Sequence, residues 1–170
     1  VRKLKLFKKK ENSVITVNNT SIFELNGISY SIRRDRRDTA FFLSTNYETL
    51  KYSFIILGNM NEDSGYSPYL VINSIDTSKK KAKELIGLSF KVTDINQARE
   101  REDTFYIYEH EPIVEYEVKI LDIEEHQVHI SCTGKAIVDG YVDDYETIDF
   151  SIDCFLPIIT NKDDWSKYGF

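Results

Sequence analysis

Three runs in the C-terminal third of the chain keep apolar side chains in one register and ionisable or hydroxyl side chains in the other. Between Ile113 and Leu156, the even series runs Val114, Tyr116, Val118, Ile120, then Val128, Ile130, Cys132, then Ile148, Phe150, Ile152, Cys154. The odd series runs Glu115, Glu117, Lys119, then His129, Ser131, Thr133, then Thr147, Asp149, Ser151, Asp153. Successive side chains on a strand point to opposite faces, so this alternation predicts antiparallel sheet with a buried even face and a wet odd face.

The first of the two connections can be checked against the faces it must join. A three-residue loop of Glu124, Glu125 and His126 sets Ile123 opposite Gln127, Val118 opposite Cys132 and Glu117 opposite Thr133, which keeps both faces consistent. In the second connection, a tight Asp139-Gly140 turn mismatches the faces further along. A bulge or a wider loop through Tyr145 is therefore expected.

Shorter strands are predicted upstream at residues 14–17, 21–25, 28–32, 40–44, 52–57, 69–73, 88–92 and 104–108. Asn26-Gly27 supplies a hairpin turn, and a long polar loop separates Gly58 from Tyr69. The period changes between Asp76 and Gly87, where Ala82, Leu85 and Ile86 predict a short helix packed on the sheet. A second helical turn around residues 95–101, capped by Asp94 with Ala98 inward, competes with a charged loop there. The fold class expected is mainly β: an antiparallel β-sandwich or partly open barrel with one short packed helix. The alternative is an α+β fold with a single curved antiparallel sheet.

At 170 residues one substantial core is expected. The organisation reads as a basic N-terminal arm over 1–13, a single antiparallel β domain over 14–157, and an aromatic C-terminal tail over 158–170. That tail carries Trp165, Tyr168 and Phe170, which are costly to leave in water, and is expected to fold back over an end of the core. Cys132 and Cys154 fall in the inward register as small buried thiols, with a disulfide depending on their geometry.

Charge changes the picture more than composition does. Residues 1–10 hold six Lys or Arg and no acid, leaving 16 basic against 28 acidic side chains, a net of −12, over the rest. From Glu111 to Phe170 there are 14 acids against four lysines, a net of −10. Such a region repels nucleic acid and favours a basic partner, a cation or plain solubility. No run approaches the roughly 20 apolar residues that span a bilayer, and the expected location is cytoplasmic.

Candidate chemistry on the odd face is thin. Ser131 and His129 lie two residues apart on one strand face, roughly 6.5–7 Å, outside the contact a histidine-activated serine requires. Asp149 and Asp153 are about 13 Å apart by strand rise, too far to work as a glycosidase pair. The three histidines and the acidic run 139–144 match neither zinc nor calcium ligand spacing. No catalytic residue, cofactor or metal is assigned.

The Arg33…Arg37 spacing, taken with His129-Ile130-Ser131-Cys132-Thr133-Gly134, resembles the arginine and Asp/Asn-x-Ser-x-x-Gly signatures of PilZ cyclic-dinucleotide receptors. His129 stands where that family has an acid or amide, and the two motifs are farther apart than in its pattern. A loop neutralised by Asp35 and Asp38 is the reading adopted.

The expected function is non-catalytic recognition of a basic protein surface, of an inhibitor or immunity type. Glu115, Glu117, Tyr141, Asp143, Asp144, Tyr145, Asp149 and Asp153 are the candidate contact residues, acids steering the partner and tyrosines supplying contact area. The alternatives are a small-molecule binder or hydrolase with a pocket at the C-terminal sheet, and a structural module that assembles through an uncovered strand edge, a homo-oligomer included.

Overall fold

In the computed structural model, which describes residues 13–170, ten strands and one α-helix are arranged as a closed barrel with additional strands. The strands are β1 (Ser21–Leu25), β2 (Ile28–Ser29), β3 (Ala40–Asn46), β4 (Thr49–Leu57), β5 (Tyr69–Asp76), β6 (Ser89–Val92), β7 (Thr104–Tyr106), β8 (His110–Ile123), β9 (Gln127–Ile137) and β10 (Thr147–Ile159), with α1 (Ile95–Arg101) between β6 and β7. The basic-arm expectation for the N-terminus lies outside the described residues, except for Ser13.

Seven strands close the barrel in the order β10-β3-β4-β5-β7-β8-β9 and back to β10. β8 and β10 make this possible because they are long, at 14 and 13 residues. The start of β8 pairs with β7 and the rest of it with β9, while β10 pairs with β9 along most of its length and with β3 at its end. The mainly β class with one short helix is as expected. The barrel is closed rather than partly open, and its seam between β10 and β3 is parallel, Ile158 against Phe41 and Ile159 against Phe42. Closure removes two sheet edges that would otherwise expose unpaired backbone groups. Outside the barrel, β1 and β2 extend from β10, and β6 pairs with β8.

The alternation of the C-terminal third survives with two phase changes. Val118 opposes Cys132 and Glu117 opposes Thr133, as the three-residue loop requires. Bulges between Ile113 and Glu115 and between Ile120 and Asp122 then shift the parity, placing Ile123 opposite Val128 rather than Gln127. Each bulge inserts one residue and turns the following side chains to the other face. That is why odd-numbered Ile113 and Ile123 are buried while Val114 is only half-buried.

The packed helix is not where the apolar spacing placed it. Residues 76–87 contain only a single 3-10 turn, Ala82–Leu85, which sends Leu85 into the core. Three apolar side chains in that span do not pay for helix nucleation. The α-helix is the Asp94-capped segment: the Asp94 carboxylate accepts from the N–H groups of Asn96 (2.9 Å) and Gln97 (3.1 Å), and Ala98 is buried. Residues 14–17, expected as a strand, belong to no sheet, and Ile15 N–H donates instead to the Lys167 carbonyl of the C-terminal turn (2.8 Å).

Three polar residues are buried among those described, Thr39, Asp103 and Asp164. Asp103 is wholly buried and accepts from Asn73 N–H (2.7 Å), Arg101 Nε (2.7 Å) and the Tyr116 hydroxyl. The Arg101 guanidinium also donates to the Asn73 carbonyl (3.0 Å) and lies 4.6 Å over the Phe90 ring. These contacts pin α1 to β5 and β8.

The C-terminal segment folds back over one end of the barrel. A 3-10 turn at Lys162–Tyr168 buries Trp165 and Tyr168 with Ala40 and Ile159 in a second core cluster. The Tyr168 hydroxyl donates to the carbonyls of His126 (2.6 Å) and Ile158 (3.1 Å). Both cysteines are buried and free. Burial pushes both thiols up, that of Cys154 to about 12, so they pack as apolar groups.

Candidate protein-interaction surface

The outer face of β8, β9 and β10 carries many of the acids that make the C-terminal region negative, and most of them are answered locally. Glu117 accepts from the Ser89 hydroxyl (2.6 Å) and lies 3.4 Å from Lys91 and 3.5 Å from Lys119. The Ser89 hydrogen bond, aided by the two lysines, holds its carboxyl below the usual range. Glu115 pairs with Lys135 at 3.4 Å, and Asp149 is opposite the same lysine in the β9–β10 register. Asp153 contacts His129 at 2.6 Å, and the imidazole stacks on Phe155 with centroids 4.2 Å apart. His129 therefore faces Asp153 rather than Ser131 or Asp149. Among the described residues no hydroxyl or thiol is hydrogen-bonded to it, so this pair lacks the nucleophile that acyl transfer needs.

A different acidic surface gathers at the loops. Residues 138–146 form a wide connection from β9 to β10, closed by Val138 N–H donating to the Glu146 carbonyl (3.0 Å). Tyr141, Asp143, Asp144 and Tyr145 all sit exposed on it. Gly140 N–H donates to the Glu111 carboxylate (3.1 Å), tying the loop to the start of β8. The turn before β8 carries Tyr108, whose ring meets Tyr66 edge-on at 5.4 Å. Tyr66 in turn stacks on Tyr30 at 5.9 Å, and Asn61 Nδ2 donates to the Ser29 carbonyl at 2.8 Å. Asn26 N–H donates to the Asp149 carbonyl at 3.0 Å.

These contacts tie the 107–109 turn to the 58–68 loop, the 138–146 loop to the start of β8 just after that turn, and the 26–27 turn to the start of β10. Together the loops contain seven carboxylates (Glu62, Asp63, Glu109, Asp139, Asp143, Asp144 and Glu146), all exposed, and no Lys or Arg. They also present Met60 (70% exposed), Tyr108 (58%), Tyr141 (83%), Val142 (49%) and Tyr145 (38%), half of the ten large apolar side chains left exposed among the described residues. Large apolar groups ringed by one sign of charge are what a partner interface requires and what solubility alone disfavours.

The candidate residues read from the sequence include Tyr141, Asp143, Asp144 and Tyr145 of the 138–146 loop, but not Met60, Glu62, Asp63 or Tyr108. The lack of any basic residue in the 58–68 loop was legible. Its contact with Tyr108, some 40 residues later, was not, because it depends on β5 pairing with β7.

Among the described residues no helix is long and apolar enough to cross a membrane, and no group of three or more His, Cys, Asp or Glu is placed to hold a metal ion. Comparison with family models, curated proteins and solved structures finds no match.

Proposed function

We propose that this closed β-barrel is a recognition module that binds a basic protein surface through its acidic 138–146 loop, with Tyr141, Val142 and Tyr145 as contact residues. The observation that carries the reading is the coincidence of three exposed apolar side chains with Asp139, Asp143, Asp144 and Glu146 in one loop that has no cation. Tyrosine buries a large area at low entropic cost and keeps a hydroxyl for hydrogen bonding, and interface hot spots favour it. The surrounding carboxylates steer an oppositely charged partner and reject an acidic one. Glu115, Glu117 and Asp153 contribute less, since each already has a cationic or histidine neighbour.

Site-specific photocrosslinking tests the assignment directly. A photoreactive phenylalanine analogue at position 141, in extract of the cells that make the protein, is expected to capture a partner through a Lys- or Arg-rich peptide, with a yield that falls as salt rises. The same analogue at Tyr47, 99% exposed in the β3–β4 turn, is the control. Equal products from both positions, or a partner whose crosslinked peptide is acidic, would remove the basis for the reading.

A further inference from the structure

Away from the 138–146 loop, ten residues along β10 and roughly 30 Å by strand rise, a cleft of about 230 Å³ opens beside Pro157. Its walls come from the segment before β1, the loop before β3 and the C-terminal turn that holds Trp165, Tyr168 and Phe170. Apolar and aromatic side chains make up most of the lining. Among the described residues Arg34 and Arg36 are the only charged side chains that line it, and no Asp or Glu does.

The arginines lack the partners that such groups usually have. Arg34 is half-buried and Arg36 exposed, and the Arg34 Nη2 donates to the carbonyls of Phe155 (2.7 Å) and Asn18 (3.4 Å). Burial works against its charge, and among the described residues no carboxylate pairs with it or with Arg36. The nearest acid in sequence, Asp35, is engaged by Arg33 at 3.0 Å. A third donor stands at the same wall: the Thr39 hydroxyl, on a residue only 3% exposed, accepts from Leu57 N–H (3.2 Å) and has no acceptor for its own proton among the described residues.

A guanidinium drawn out of water without a counter-ion favours a ligand that brings a negative oxygen pair, because the planar fork matches a carboxylate. Aromatic walls favour one that also brings a flat apolar body. The volume lies below the range typical of drug-sized ligands, so the body is small. We infer that this cleft binds a small aromatic carboxylate, with Arg34 and Arg36 holding the carboxylate, Thr39 donating to it, and Trp165 and Phe170 packing against the ring.

Trp165 is the only tryptophan in the chain, so its indole N–H resonance reports on the cleft alone. The full chain is titrated with 2-naphthoate, with its neutral counterpart 2-naphthylmethanol, and with inorganic phosphate. Saturable movement of the indole resonance by naphthoate is expected, with binding about tenfold tighter than that of the alcohol. Arg36→Gln should erase most of this difference while leaving the rest of the spectrum intact, since Arg36 makes no hydrogen bond among the described residues. Arg34→Gln, accepted only if its spectrum shows a folded protein, should do the same. The inference is overturned if acid and alcohol bind equally, if neither substitution weakens naphthoate, if phosphate alone matches naphthoate, or if no ligand moves the resonance.

Discussion

Gly134 in β9 passes so close to the Glu115 carbonyl of β8 that a β-carbon at residue 134 would overlap it. The same atom would lie 2.8 Å from Tyr116 Cβ and 2.9 Å from the Phe150 ring. Gly134 is in register with Tyr116 on one side and Phe150 on the other, and its inward neighbours on β9 are the small residues Cys132 and Ala136. A narrow central strand thus makes room for two rings beside the β8 bulge. Gly134→Ala is expected to destabilise the fold by about 1–3 kcal/mol, the range for overpacking a well-filled core, read as a lowered urea midpoint. Gly140→Ala is the contrast, because only the flexible Glu111 carboxylate occupies the corresponding space there. Its effect should stay within about 0.5 kcal/mol, as for most surface changes.

The carboxylate of Asp103 is the least replaceable polar group described. Asp103→Asn turns an acceptor toward three donors into a group that must present an amide to at least one of them. Breaking a buried charge pair costs about 3–5 kcal/mol, and an Asp103→Asn midpoint close to that of wild type would contradict the role assigned here. Tyr116→Phe leaves Asp103 with Arg101 and Asn73, so its cost is nearer about 1 kcal/mol.

Acid sensitivity should concentrate at the C-terminal turn. Burial of Asp164 opposes its ionisation. Lys167 (2.6 Å), the Thr160 hydroxyl (2.7 Å) and the N–H groups of Thr160 (2.7 Å) and Asn161 (3.1 Å) outweigh that and hold its carboxyl well below the usual range. A carboxyl depressed in the folded state stabilises fully above its unfolded value of about 3.9 and loses that contribution as pH falls below it toward the folded value. The stability gap between wild type and Asp164→Asn, measured by urea unfolding, is therefore expected to be constant from neutral pH down to the unfolded value and to narrow below it. A gap unchanged down to pH of about 2 would place the stabilisation elsewhere.

Much of the fold was legible because period two survives burial. The β8–β9 register at Glu117 and Val118 followed from matching the faces across a three-residue loop, and the 138–146 connection had to be wide for the same reason. The bulges in β8 and the parallel β3–β10 seam were not legible, since both are set by closure of the barrel rather than by any local pattern. Helix placement followed capping more closely than hydrophobic spacing. Asp94 accepts from two N–H groups of the first turn of its helix, whereas in the 76–87 span the Glu84 carboxylate only reaches back to the N–H groups of Lys80 and Lys81, before a single 3-10 turn. At the candidate site, single residues such as Tyr141 and Asp143 could be named from the chain. The neutralising lysines opposite Glu115 and Glu117, and the contacts of the 58–68 loop with Tyr108 and of the 138–146 loop with Glu111, are tertiary facts.

That distinction between answered and unanswered acids gives the sharpest expectation about binding. Glu117 lies between Lys91 and Lys119, and Glu115 beside Lys135. Removing Glu117 leaves two lysines unpaired and removing Glu115 one, and either change alters the field at the loops little, because exposed charges beyond roughly 8 Å are screened at physiological salt. Asp143 and Asp144 have no cationic neighbour within salt-bridge reach among the described residues. With the partner captured by crosslinking, Asp143→Lys combined with Asp144→Lys should slow association and flatten its salt dependence, as expected for rim charges. Tyr141→Ala should instead speed dissociation and weaken Kd by about tenfold or more, as truncating a contact residue does. Glu115→Gln combined with Glu117→Gln should leave both rates near wild type. A loss of binding in that last variant, with the loop variants unaffected, would move the interface from the loops onto the flat face of the sheet.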